Sequence, residues 1–154
     1  PYYNQGPEEE PNTRRKPNVK VNILSDDLDP ALAEKKLKEL AHVQVSDALL
    51  DPEIFEGLDN VTRNEILYRI RIHPQSKVSA LPSQKIQELV KEARNLSLDF
   101  RHWRKTFEHK KHRLVYKQKT CPGCKTGIHK MYQGKTGKLT CFCSHCQELY
   151  TTLP

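Results

Sequence analysis

Four of the five cysteines stand as Cys121-Pro-Gly-Cys124 and Cys143-Ser-His-Cys146, with 18 residues between the pairs. Two Cys-x-x-Cys knuckles at this separation can turn four thiolates onto one Zn²⁺ in the tetrahedral arrangement the ion takes from sulfur ligands. Disulfides are the competing reading, but cysteines separated by only two residues make poor structural bridges and the sequence shows no secretory features. A thioredoxin-like redox site wants one Cys-x-x-Cys at a strand–helix junction, whereas two knuckles occur here without one. Four thiolates leave no position for water, so the expected zinc is structural and not a Lewis acid. Cys141, the fifth thiol, fits an alternating strand position, with competition for the metal as its second reading.

The other stretch with chemical content is Phe55-Glu-Gly-Leu-Asp-Asn-Val-Thr-Arg-Asn-Glu-Ile-Leu-Tyr-Arg-Ile-Arg-Ile-His-Pro74. It reads as a helix, a tight turn at Gly57 to Asn60, then a second helix whose free N–H groups and positive dipole end can hold a phosphate. The Asn60 amide either caps that helix or binds the phosphate, and both readings stand. Val61, Ile66, Leu67 and Ile70 share one side at helical spacing while Arg63, Arg69 and Arg71 lie elsewhere, which predicts a wet cationic side. His73-Pro74 is expected to end the helix, because the residue before a proline is pushed out of the helical region.

Charge is divided along the chain. Residues 1–60 carry 7 Lys+Arg against 13 Asp+Glu, and residues 61–154 carry 19 against 6, so the net charge of +7 conceals a second half at +13. Such a half suits a polyanion, since each cation that neutralises a phosphate releases counterions, although a solvated basic face has the same composition. No window approaches the roughly 18 uninterrupted apolar residues of a membrane span, and the polar, acidic stretch Pro1 to Arg15 is unlike a signal peptide. Neither secretion nor membrane insertion is expected.

These residues need elements to position them. At 154 residues the chain has room for about one ordinary domain or two small ones. Residues 1–24, rich in proline and charge, read as a linker, an exposed loop or the remnant of a preceding domain. Asp29 as N-cap and Pro30 in the first turn open a helix with Leu32, Leu37 and Leu40 on one face. A second helix spans Val45 to Leu50 and is closed by Asp51-Pro52; the third runs Val61 to Ile72. A fourth covers Ser79 to Lys105, with Leu81, Ile86, Leu89, Val90, Ala93, Leu96 and Phe100 as its stripe and Trp103 near its end. Beyond Thr106 the composition turns basic, with Leu114, Val115 and Tyr116 as a short strand. Ile128 to Gln133 and Lys138 to Phe142 then flank Gly134-Lys-Thr-Gly137 as a β-hairpin. The expected fold is therefore mainly α with a small β module: a four-helix domain over 25–113, then a four-cysteine zinc-ribbon-like hairpin over 114–154. Lys130, Lys135 and Lys138 project from that hairpin toward phosphates or a groove.

Phe55 to Pro74 resembles the helix-two-turn-helix signature of the formamidopyrimidine-DNA glycosylase and endonuclease VIII family, and Cys121 to Gln147 resembles that family's C-terminal zinc finger. The resemblance covers roughly residues 25–147, with both motifs in the family's order. It implies base-excision-repair enzymes that remove oxidised bases and cleave the abasic site by β-elimination through a Schiff base. Carried over by residue, Asn60 matches the asparagine that holds the DNA backbone beside the flipped nucleotide. Lys138, five residues before Cys143, falls where a phosphate-binding arginine is usual, keeping the charge but losing the bidentate fork. Asp59 stands where a second glycine is usual, and its carboxylate near a phosphate is unfavourable unless turned away or used as a cap. Glu65 fits the motif and reads first as a structural, helix-stabilising residue.

The family's catalytic proline is followed by glutamate on a β-sandwich of over a hundred residues. Here Pro1 is followed by Tyr2, so no catalytic residue is assigned. The resemblance implies the DNA-clasping half of such an enzyme, binding damaged double-stranded DNA as a monomer inside the cell, in bacterial cytoplasm or a nucleus. DNA contacts are expected at Asn60, Arg63, Lys130, Lys135 and Lys138, and structural zinc at Cys121, Cys124, Cys143 and Cys146. Two other classes stay open: a non-catalytic nucleic-acid-binding protein with the same helices and finger, and a zinc-ribbon module whose basic surface meets an acidic protein.

Overall fold

The computed structural model describes residues 22–26 and 28–151. Most of the expected linker, including Pro1 and Tyr2, lies outside the described residues. Ile23 is fully buried and Asn22 bridges Glu56, so the packed helical unit starts before Ser25.

Helix α1 is Pro30–Glu39, and the Asp29 carboxylate accepts from the Ala31 N–H at 3.1 Å while Pro30 occupies the first helical position. Helix α2 is the short Val45–Leu49 and α3 is Asn60–Arg69. Helix α4, Ser83–Lys105, buries Ile86, Leu89, Val90, Ala93, Leu96 and Phe100 on one stripe and packs on both α1 and α3. These residues form one apolar core with Leu37, Leu49, Phe55, Ile66 and Ile72. Each such side chain contributes on the order of 1.5–3 kcal/mol by leaving water. No helix among the described residues is long and apolar enough to cross a membrane.

Three sequence expectations are corrected here. Helix α4 begins at Ser83, not Ser79, because Val78–Ala80 forms a separate 3-10 turn and Pro82 precedes the first helical residue. Helix α3 stops at Arg69 rather than Ile72: Arg71 turns left-handed at φ 63°, its N–H meets the Tyr68 carbonyl and the Ile72 N–H reaches back to Leu67. That closure satisfies the helix's last carbonyls before His73-Pro74 is reached. Residues 114–116 form no strand; their backbone N–H groups are taken by a side chain of α3, described below.

The β module is a two-stranded antiparallel ribbon, β1 His129–Gln133 and β2 Lys138–Phe142, registered Gln133 to Lys138 and His129 to Phe142. Gly134, at φ +78°, begins the turn, and a Cβ there would lie 2.6 Å from the Asp47 carboxylate. The left-handed backbone there favours glycine, and any larger residue would have to displace the Asp47 carboxylate. Gln133 Nε2 donates to Ser46 Oγ, and the Lys135 N–H donates to Asp47 Oδ2. The ribbon therefore lies on the helices along its length.

Candidate metal centre and nucleic-acid interface

Each knuckle closes with the same backbone bond. The Lys125 N–H donates to the Cys121 carbonyl and the Gln147 N–H to the Cys143 carbonyl, both at 2.9 Å. Those turns converge the sulfurs of Cys121, Cys124, Cys143 and Cys146 to within 4.8 Å of one another. Cys121 and Cys146 are 3.7 Å apart, and Cys124 and Cys143 3.5 Å. A tetrahedral ion with bonds of about 2.3 Å requires sulfur–sulfur edges of about 3.8 Å, so the set fits a metal and holds no disulfide. Burial and hydrogen bonds to the other three sulfurs push the Cys146 thiol up to about 12. Four thiolates at this spacing need a cation to share. Cys141 stands apart on β2, its sulfur accepting from the Lys117 N–H, and is not in the cluster.

The cluster is tied to the helical unit by two side chains the motif reading passed over. Tyr68 on α3 places its Oη 3.0 Å from Cys121 Sγ, where it can donate to a thiolate. Burial first, and Cys121 second, push the Tyr68 phenol up, so it keeps that proton. Gln147 is fully buried; its carbonyl accepts from the Cys143 N–H and its amide donates to the Ile72 carbonyl. Metal ligands are routinely oriented by such outer partners.

Helix α3 is where the two motifs meet. Its N-cap is Asp59, whose carboxylate accepts from the Thr62 N–H at 2.8 Å and pairs with Arg104. The cap role that the sequence left open for Asn60 is thus filled by its neighbour. Asn60 is the first helical residue; its Nδ2 donates to the Leu139 carbonyl at 3.1 Å and its Oδ1 accepts from Arg63 at 2.6 Å. Lys138 is exposed beside Leu139, so residues far apart in sequence come together at one end of α3. Lys130 and Lys135 are also exposed on the hairpin.

The wet cationic side expected of this segment is corrected at Arg63, while Arg71 is exposed and Arg69 partly so. Arg63 is fully buried, donating to Asn60 Oδ1, the Leu139 carbonyl, Thr140 Oγ1 and the Ser46 carbonyl. Burial lowers it to about 10, with Asp47 acting the other way, so it remains charged at neutral pH. Asn64 donates to Leu139 and accepts from the Cys141 N–H at 2.7 Å. The free edge of β2 is thereby satisfied by side chains rather than another strand, which is why polar residues line a buried helix face.

Glu65 completes the junction. Its fully buried carboxylate accepts from the N–H groups of Leu114, Val115 and Tyr116 at 2.8–2.9 Å. It is structural, as the sequence reading held, but it fastens the segment leading into the finger. A Glu two residues after an Arg and one after an Asn carries no spacing signal for that task; only the three-dimensional crossing reveals it.

Fold and site define a helix-two-turn-helix unit joined along α2 and α3 to a four-cysteine finger. The family model described as the formamidopyrimidine-DNA glycosylase H2TH domain matches residues 20–98, and the chain belongs to that family. It is 31% identical to human endonuclease 8-like 3 over 129 residues, which is 83% of this chain and 21% of that protein. It is 28% identical to the formamidopyrimidine-DNA glycosylase of Lactobacillus helveticus over 120 residues, 69% of this chain and 43% of that one. The Lactococcus lactis formamidopyrimidine-DNA glycosylase, solved non-covalently bound to DNA containing an abasic site, superposes with a TM-score of 0.75 at 22% identity. That match covers 85% of this chain and 50% of the other, and it establishes the shared fold. The chain thus spans between about a fifth and a half of these relatives.

Proposed function

We propose that this chain is the DNA-clasping part of a base-excision-repair glycosylase acting on oxidised bases, gripping the backbone of damaged duplex DNA around a flipped nucleotide. The observation that carries the reading is the Asn60 amide. It is held on both sides, by Arg63 and by the Leu139 carbonyl, at the N-terminus of α3 and beside the exposed Lys138. A pre-oriented amide, a helix N-terminus and a lysine suit one or two consecutive phosphates. Lys130 and Lys135 add charge from the hairpin, while buried Arg63 acts through Asn60 instead of touching the DNA.

The four cysteines hold one structural Zn²⁺, which supplies no chemistry beyond fixing a zinc-ribbon-like finger. The protein works as a monomer in the compartment that contains the DNA. Its contacts are chiefly to backbone, so affinity is steeply salt-dependent and little affected by base sequence.

The test pairs binding with trapping on a duplex bearing one abasic site. Anisotropy titrations between low and moderate salt give a steep log–log decline if phosphates dominate; a flat line removes the reading. Borohydride on the same complex then separates roles. A covalent adduct places a Schiff-base amine on this chain, whereas binding without an adduct makes it the clasp alone.

A further inference from the structure

Tyr132, the penultimate residue of β1, is 77% exposed although it is paired within the ribbon. It is registered directly across from Leu139, the residue whose carbonyl accepts from Asn60. Cross-strand partners share a face, so the Tyr132 ring and the Leu139 side chain lie on the same side of the ribbon. Leu139 and Val61, the residue after Asn60, both pack against the cluster of Val115, Tyr116 and Cys141. Lys130, two residues before Tyr132, belongs to the same face. From 109 to 147 the sequence has nine Lys or Arg and no Asp or Glu.

We propose that Tyr132 is a base-stacking platform for nucleic acid, receiving an unpaired base of a single-stranded stretch whose phosphates run past Asn60 and Lys130. The proposal rests on the DNA-binding reading above and extends it to a base contact. Exposing a tyrosine ring on a strand costs apolar burial, and the strand does not need the ring for its own packing. The surrounding field is cationic, as a polyanion requires. A rigid ring on a ribbon cannot reach a base whose two faces are covered within a duplex, so its partner is unpaired. Aromatic rings set among lysines bind single strands in this way and tolerate any sequence, because every base has a π-face.

The full chain is titrated with a fluorescein-labelled 12-mer of thymidylate and with a blunt, fully paired duplex, using wild type, Tyr132→Ala, Tyr132→Phe and Asn60→Ala. Thermal unfolding and zinc content confirm that the variants are folded. Tyr132→Ala is expected to weaken thymidylate binding roughly tenfold, the stacking of about one base, and to change duplex binding less than about twofold. Tyr132→Phe keeps the wild-type affinity. Unchanged binding of Tyr132→Ala to the single strand overturns the proposal and leaves the ring for a protein partner. Equal losses on both probes, or a Phe variant as weak as Ala, also overturn it. If Asn60→Ala weakens duplex binding while Tyr132→Ala has no effect on either probe, the clasp stands and only the stacking role falls. A wild type that binds neither probe removes both.

Discussion

The helical unit buries Leu37, Leu49, Ile66, Leu89 and Phe100 completely, whereas the finger's own apolar cluster consists of Val115, Tyr116 and Cys141. The first region is large enough to be held by burial. The second is a ribbon of two five-residue strands, of which β1 is exposed at four of its five residues while β2 is buried chiefly toward its C-terminal end. So small a module cannot offset its chain entropy from apolar contacts alone. Two other sources replace the missing core: the four converging cysteines, and the polar face of α3, where Asn60, Arg63, Asn64 and Glu65 bind finger backbone. One region is a core with a surface; the other is an edge completed by side chains of its neighbour.

The strongest way to break this comparison is to remove the metal set. Cys143→Ser is expected to abolish zinc binding, about 1 ion per chain in the wild type, and to unfold the finger while helical circular dichroism persists. Structural zinc contributes on the order of 10–16 kcal/mol in small fingers, far more than this ribbon's packing. Zinc retained at full stoichiometry refutes the four-thiolate site. Next in size are two cuts of different kind. Leu89→Ala opens a cavity in the helical core and should cost about 2–5 kcal/mol of global stability. Glu65→Ala leaves three N–H groups without their acceptor, each costing about 1–3 kcal/mol if it stays buried. Amide exchange distinguishes the two: Glu65→Ala should raise exchange at Val115 and Tyr116 above that in α1, while Leu89→Ala should raise both together. Uniform acceleration in Glu65→Ala would show that the regions are not separately held.

The same contrast explains what was legible in the sequence. Helical apolar periodicity locates α1, α3 and α4, and the knuckle spacing locates the four cysteines that converge, because both patterns are local. Periodicity alone carries α3 past its true end, because Arg71 takes a left-handed turn usually given to glycine. Residues 114–116 have a composition that suits a strand, but their hydrogen bonds go to Glu65, 49 residues or more away. Arg63 has the local sequence context of a surface cation, since nothing near it in the chain shows that a ribbon covers it. The polar face of α3 has the composition of a solvated surface, and only the fold reveals that it is an interface.

A smaller effect concerns pH at the seam between the regions. His73 is buried against Phe142, with ring centroids 4.5 Å apart, and its Nδ1 accepts from the Gln75 N–H. Burial first, then His129, lower its pKa from the ordinary value of 6.5. A histidine whose folded pKa is depressed leaves the unfolded chain binding the proton first, so stability is intact above about 6.5 and is lost as pH falls below it. The difference in melting temperature between wild type and His73→Gln should therefore shrink between pH 7.5 and 5.5. Parallel curves would show that the seam is indifferent to this charge.

The smallest effect tests how the helical side tolerates a carboxylate at the phosphate end of α3. Asp59 caps the helix through one oxygen and pairs with Arg104 through the other. Asp59→Ala removes both and should cost about 1 kcal/mol, the usual worth of a cap. Asp59→Asn keeps an acceptor for the Thr62 N–H and loses only an ion pair that is nearly half exposed on both sides, which typically contributes less than about 1 kcal/mol. Its stability should thus lie close to wild type. In DNA binding the order reverses. Removing the negative charge beside Asn60 also frees Arg104, so Asp59→Asn should bind duplex DNA a few-fold more tightly at low salt, with the gain vanishing as screening shortens the field. A gain that survives high salt would point to a new direct contact by the amide. A loss at every salt concentration would mean that the Asp59–Arg104 pair, and not the cap alone, sets the angle at which α3 presents Asn60.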